Sequence, residues 1–140
     1  MMTFNQARDV ILTVFKDKWD VLQPGGFCDY EDKPGSTPTG EQPWARVILR
    51  HSDGAQSSLT GPLEELKRYT NRGTVFIQLM QPCGNGHDLL YDYAQGVYDA
   101  YCKARHPNVW FRGVRIEEVP TRGPWAQVNV MANFEYDRII

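Results

Sequence analysis

The chain reads as a single α+β domain: a mainly antiparallel β-sheet with two α-helices packed on one face and a long C-terminal β-hairpin. Three observations predict this class. Apolar residues recur at helical spacing near the amino terminus and again over residues 88–104. Two runs rich in β-branched and aromatic residues lie between them, and the last third alternates apolar and polar residues with a period of two. At 140 residues the chain has the length of one domain. It is long enough to bury a core without disulfides or metals.

Thr3 followed by Gln6 reads as a capping box that opens the first helix. Phe4, Ala7, Val10, Ile11, Val14 and Phe15 then form one apolar stripe, and Arg8, Asp9, Lys16 and Asp17 fall largely elsewhere. The stripe ends near Trp19, and Pro24-Gly25-Gly26 stops anything further.

Residues 24–43 alternate Pro24, Pro34, Pro38 and Pro43 with Gly25, Gly26, Gly35 and Gly40. That mixture leaves little chance of helix or central strand. A connection this long in a compact domain is uncommon. It is either a plain surface loop or an arm that reaches a neighbouring subunit, anchored there by Phe27 and Tyr30.

Trp44 to His51 reads as a strand centred on Val47, Ile48 and Leu49. Ser52-Asp53-Gly54 gives a turn signal, after which residues 55–60 are placed as a short return strand. Residues 63–67 fit either a helical turn or an inserted strand. Thr74 to Met80 is a second clear strand, apolar enough to be central. A second helix follows from about Asp88 to Ala104, with Leu89, Leu90, Tyr93, Val97, Ala100, Tyr101 and Ala104 facing inward. Gly96 in its middle implies close approach of this helix to the sheet.

The final strand is the most regular part. Ala126, Val128, Val130, Ala132, Phe134 and Tyr136 alternate with Gln127, Asn129, Asn133 and Glu135, Met131 being the exception. Trp110 to Val119 is its partner, joined through Pro120 to Pro124. A hairpin of this length is expected to project beyond the core or to pair across a subunit boundary.

The composition bounds the function. Fifteen basic and seventeen acidic residues give a net charge of −2, which counts against non-specific wrapping of nucleic acid. The apolar runs are short, so no membrane span is expected, and the first residues carry no leader-like pattern. Cysteines 28, 83 and 102 are expected as free thiols of a cytosolically made protein.

Sites that would carry chemistry are weak. Cys83/His87 and Cys102/His106 make a zinc-like set, but they lie at opposite ends of the second helix, roughly 22 Å apart at helical rise. Gly-x-Ser-x-Gly is absent, and His51, His87 and His106 each adjoin a turn or loop, where a solvated imidazole is ordinary. Gly84-Asn85-Gly86 lacks the rest of a phosphate-loop signature. Lys67-Arg68-Tyr69-Thr70-Asn71-Arg72 is a basic cluster with an aromatic inside it, yet Glu64 and Glu65 stand beside it. It reads as a charged strand entrance or a protein-facing patch.

Taken in order, these segments resemble a known family. The middle runs Ser58-Leu59-Thr60-Gly61, then an arginine-bearing strand containing Gln78 and ending at Pro82. The chain closes Trp125-Ala126-Gln127-Val128-Asn129-Val130, then Phe134-Glu135-Tyr136-Asp137. This resembles the tail terminator (tail completion) proteins of long-tailed bacteriophages, across nearly the whole chain. Residues 62–66 depart from the pattern.

The resemblance implies a structural role without catalysis or cofactor: no catalytic, cofactor or metal residue is expected. Copies would form a homohexameric ring on the head-proximal end of the tail tube. The ring would stop polymerisation of the major tail tube protein and offer a joining surface to the head–tail connector. DNA would pass through the lumen without specific binding, in a virion assembled in host cytoplasm. Another ring-forming neck protein, or a small nucleic-acid-binding module, is the alternative. Heterologous closure needs two different surfaces on one chain. The interface residues expected are Phe27, Tyr30, Trp44, Lys67, Arg68, Arg72, Trp110, Trp125, Gln127 and Asn129.

Overall fold

In the computed structural model of the chain, the described residues are 2–22, 28–30, 43–56, 68–83, 88–122 and 125–139. Helix α1 (Phe4–Leu22) opens the chain, followed by strands β1 (Cys28–Tyr30), β2 (Trp44–Gln56) and β3 (Arg68–Pro82). Helix α2 (Asp88–Lys103) precedes the hairpin of β4 (Val109–Arg122) and β5 (Trp125–Ile139). The sheet order is β1-β2-β3-β5-β4. Both helices cover one face, so the expected α+β architecture is present.

Local chemistry sets the helix ends. The Thr3 amide donates to Gln6 Oε1 at 2.9 Å, and the Gln6 amide donates to Thr3 Oγ1 at 3.1 Å. This reciprocal pair satisfies two of the amides a helix start leaves open. Ala7, Ile11, Phe15 and Trp19 form the buried stripe of α1. The helix runs a turn past Trp19 to Leu22. Leu90, Ala94, Val97 and Tyr101 are the buried stripe of α2, while Leu89 is exposed. The Tyr101 hydroxyl donates to the Ile11 carbonyl at 2.9 Å, tying the two helices together inside the core.

Gly96 serves this helix pair and not the sheet. A Cβ there would stand 2.9 Å from Leu22 Cδ1 and 3.3 Å from Lys18 Cε. The missing side chain lets the end of α1 lie against α2.

The sheet is long and its register is regular. β3 and β5 pair antiparallel along all fifteen residues, from Arg68↔Ile139 to Pro82↔Trp125. The hairpin therefore does not project: β3 matches it end to end, at roughly 3.4 Å per residue. β3 is central, as its apolar run predicts. Ala126, Val128, Val130, Ala132, Phe134 and Tyr136 are all buried beneath the helices, confirming the alternation. Val47, Val75, Ile77 and Leu79 join them in one core.

Three expected loops are strands or bulges instead. Ser52-Asp53-Gly54 does not turn: β2 continues to Gln56, and its register against β3 shifts between His51 and Asp53. A bulge and a turn draw on the same small polar residues, so the sequence signal was ambiguous. Residues 57–67, including the alternative readings at 63–67, lie outside those described. Pro120 and Thr121 belong to β4, which shifts register between Val119 and Arg122. Proline is tolerated on an edge strand at a bulge. Within the segment 24–43, Cys28–Tyr30 pairs parallel with Ala45–Val47. A parallel pair needs a connection of about a dozen residues, and the sequence between Tyr30 and Trp44 is long enough for one.

Gly73 is where the backbone tolerates no side chain. A Cβ there would lie 2.1 Å from the Arg50 carbonyl oxygen and 2.4 Å from Phe134 Cζ. Gly73→Ala is expected to cost about 2–4 kcal/mol, because rigid backbone and a ring must both shift. Urea unfolding checks this, and an unchanged midpoint would refute it.

Candidate subunit interface

Among the described residues no helix or strand covers the sheet face opposite the helices, the bare face, although Trp44, Thr70, Met80 and Met131 on it are buried, and most described residues of the expected interface lie there. Strand parity puts Trp44, Arg46, Ile48 and Arg50 of β2 on that face, with Arg72, Thr74, Phe76, Gln78 and Met80 of β3. Trp125, Gln127, Asn129, Met131, Asn133 and Glu135 of β5 follow, then Trp110, Arg112, Arg115, Glu117 and Val119 of β4. It is a mixed surface of aromatics, methionines, amides and charges.

Trp44 is only 2 % exposed. Its ring meets Trp125 edge-to-face at 5.6 Å, and the Arg46 guanidinium lies 5.5 Å from its centroid. Trp44 thus spends its surface inside its own chain, whereas Trp125 is half-buried and Trp110 is 41 % exposed. Gln127 Nε2 donates to Asn129 Oδ1 at 2.8 Å, which holds both amides in a fixed row.

The remaining polar groups form cross-strand pairs. Arg72 Nε lies 3.6 Å from Glu135 Oε2. The Thr70 hydroxyl donates to Asp137 at 2.8 Å, and the Thr74 hydroxyl donates to Asn133 Oδ1 at 3.1 Å. Arg115 donates to the same Asn133 oxygen at 3.3 Å and to the Gly113 carbonyl at 2.9 Å. Gly113 has φ +60° at the first β4 bulge, which re-aims Arg115 onto this face. Arg68 opens β3, at the strand entrance expected of this cluster, and Arg72 lies further along the same β3–β5 ladder. Phe27 and Lys67 lie outside the described residues, Tyr30 sits on the short edge strand β1, and the side chains of Tyr30 and Arg68 are not described.

The helix side offers an open groove of about 620 Å³. Val10, Val14, Ala100, Ala104 and Phe111 line it, with Asp9 and Asp17 on α1, Lys103 at the end of α2 and Arg105 just beyond it. Charged groups sit around its apolar surfaces, a pattern suited to a protein segment more than to a small polar ligand. Among the described residues no group of three or more metal-ligating side chains converges. Cys83 and Cys102 are exposed thiols, and His106 Nδ1 accepts from the Asn108 amide at 3.1 Å. His87 and Gly84-Asn85-Gly86 lie outside the described residues.

His51 is not a plain solvated imidazole beside a turn. It lies within β2, with Nε2 2.6 Å from the Tyr136 hydroxyl, one hydrogen bond whose donor is set by the tautomer. Phe4, Phe134 and Tyr136 surround the ring at centroid distances of 5.3, 5.3 and 5.7 Å. Desolvation in this aromatic nest pushes its pKa below the ordinary 6.5. Nothing in the sequence singled out Arg50 on β2 and Ile116 and Glu117 on β4, at the outer strands, or the exposure of Phe4 on α1 and Tyr91 on α2. The available signal was weak: a charge or an exposed aromatic at one position of an otherwise regular element.

No protein-family model matches the chain, and no curated protein matches it. Solved structures do. One of them, described without any function, superposes with a TM-score of 0.61 at 13% identity, covering 92% of this chain and 94% of its own. That likeness shows a shared fold over nearly the whole length of both proteins.

The His51 environment has a pH consequence. Its folded-state pKa is lowered, so the unfolded chain takes up the proton first. Stability is fully present above the unfolded value of 6.5 and is lost as pH falls through it toward the folded value. Urea unfolding on either side of that pH should show a drop on the acid side that His51→Gln reduces. Equal drops in both proteins would contradict the assignment.

Proposed function

We propose that the chain is a structural assembly subunit of a long-tailed phage: a tail terminator that closes with its copies into a hexameric ring. The ring caps the tail tube, stops its polymerisation and presents the surface that joins the head. The partners are identical copies, the major tail tube protein and the head–tail connector. DNA passes through the lumen without specific contacts. The site of action is the head-proximal end of the virion tail, after assembly in host cytoplasm.

One observation carries this reading. Among the described residues the sheet ends in two unlike edges, β4 on one side and β2 with its three-residue cover β1 on the other. Edge strands present backbone donors and acceptors that call for a partner or for protection. Two different edges on one sheet suit a head-to-tail contact, and such contacts generate rings when the rotation closes. The motif order from Ser58 through Asp137 supports the same reading. So does the bare, mixed face, which suits contact with another protein.

Electron microscopy of tails assembled without this chain tests the function. Over-long or unstable tubes lacking a terminal ring are the expected result. Tails of normal length that join heads normally would contradict it.

A further inference from the structure

The two open edges carry stretches that fit each other, and their fit selects a register. β4 lies antiparallel to β2 within the chain, since β2–β3, β3–β5 and β5–β4 are each antiparallel. A second copy that continues the sheet in the same sense therefore lays its β2 antiparallel to β4, with all helices on one face.

The regular stretch of β4 lies between its two bulges, from Arg115 to Val119. β1 covers β2 only at Ala45–Val47, and the β2 bulge begins after His51. Among the described residues, the regular and open stretch of β2 is thus Ile48 to His51. The β4 stretch of five residues accommodates the β2 stretch of four, and each is bounded on both sides by a feature that ends regular pairing.

We propose that β4 of one copy pairs antiparallel with β2 of the next, residues 116–119 against residues 48–51. This deepens the ring reading and rests on it for the head-to-tail sense. On the bare face the register sets Glu117 opposite Arg50 of the neighbouring copy and Val119 opposite its Ile48. On the helix face it sets Ile116 opposite the neighbour's His51, on which Phe4 is stacked with ring centroids 5.3 Å apart.

Each of these apolar groups is exposed in one chain: Phe4 by 52 %, Tyr91 by 39 % and Ile116 by 38 %. Tyr91 of α2 is hydrogen-bonded to the Glu118 carboxylate, which shares the helix side of β4 with Ile116. The pairing buries Phe4 of one copy against Ile116 and Tyr91 of the other.

Competing registers are penalised. A slip of one residue turns every side chain to the wrong face. A slip of two sets Arg115 opposite Arg50, a like-charge contact, or sets Val119 opposite Arg50 and takes Glu117 off its partner.

Sedimentation of the purified chain over a range of concentrations, with circular dichroism as a check on folding, tests the register. Glu117→Arg and Arg50→Glu should each weaken assembly about tenfold or more, since each sets like charges opposite one another. The combined E117R and R50E variant should recover assembly to within about threefold of wild type. Single reversals without effect, or a double variant no better than either single one, overturn the pairing. Full-mass rings in every variant would remove this register while leaving the ring reading in place. A wild-type chain that never exceeds a monomer or a closed dimer would overturn the pairing together with that reading.

Discussion

Backbone groups at a sheet edge have no partner within their own strand pair, and the rest of this molecule is arranged around that constraint. β3 sits at the centre and is paired on both sides, along its full length with β5. The two helices then cover a single face. Among the described residues, what remains outward is one face without helices and two sheet edges, the surfaces suited to contact with another protein. The edges are not indiscriminate: bulges break their regularity, and Arg112, Arg115, Glu117 and Glu118 charge the longer one. Such features suppress pairing with arbitrary strands and leave a short stretch for a specific one.

Close packing on the helix side fixes how that sheet is held. Tyr101 places a hydroxyl on the Ile11 carbonyl, Trp19 meets Tyr93 edge-to-face at 5.6 Å, and Gly96 admits the end of α1. At the other end of α1, Phe4 lies on His51 of β2. The first helix thus reaches from the helix layer to one sheet edge. A contact made at that edge is therefore felt by the same aromatic nest that sets the His51 pKa.

Much of the fold was legible because its signals are local. The Thr3/Gln6 capping box, the stripes of the two helices and the strict alternation of the last strand each depend on residues within a few positions. What was misread depends on tertiary choice. Ser52-Asp53-Gly54 could turn or bulge, and pairing with β3 decided for a bulge. Cys28–Tyr30 is too short to announce itself between prolines, and its parallel pairing becomes visible only once β2 is in place. Gly96 signalled close approach but not to which element. Trp44 read as an exposed anchor, yet Trp125 and Arg46 enclose it. The edge residues were least legible of all, since Arg50 and Glu117 look like ordinary solvated charges until the strands on either side are known.

The central claim is that copies of this chain complete the open sheet edges. Amide hydrogen exchange, compared between dilute and assembled protein, addresses the backbone directly. The account predicts that amides within 48–51 and 116–119 become protected together on assembly, while the paired amides of β3 are already slow in the dilute chain. Edge amides that exchange equally fast in both states would contradict it.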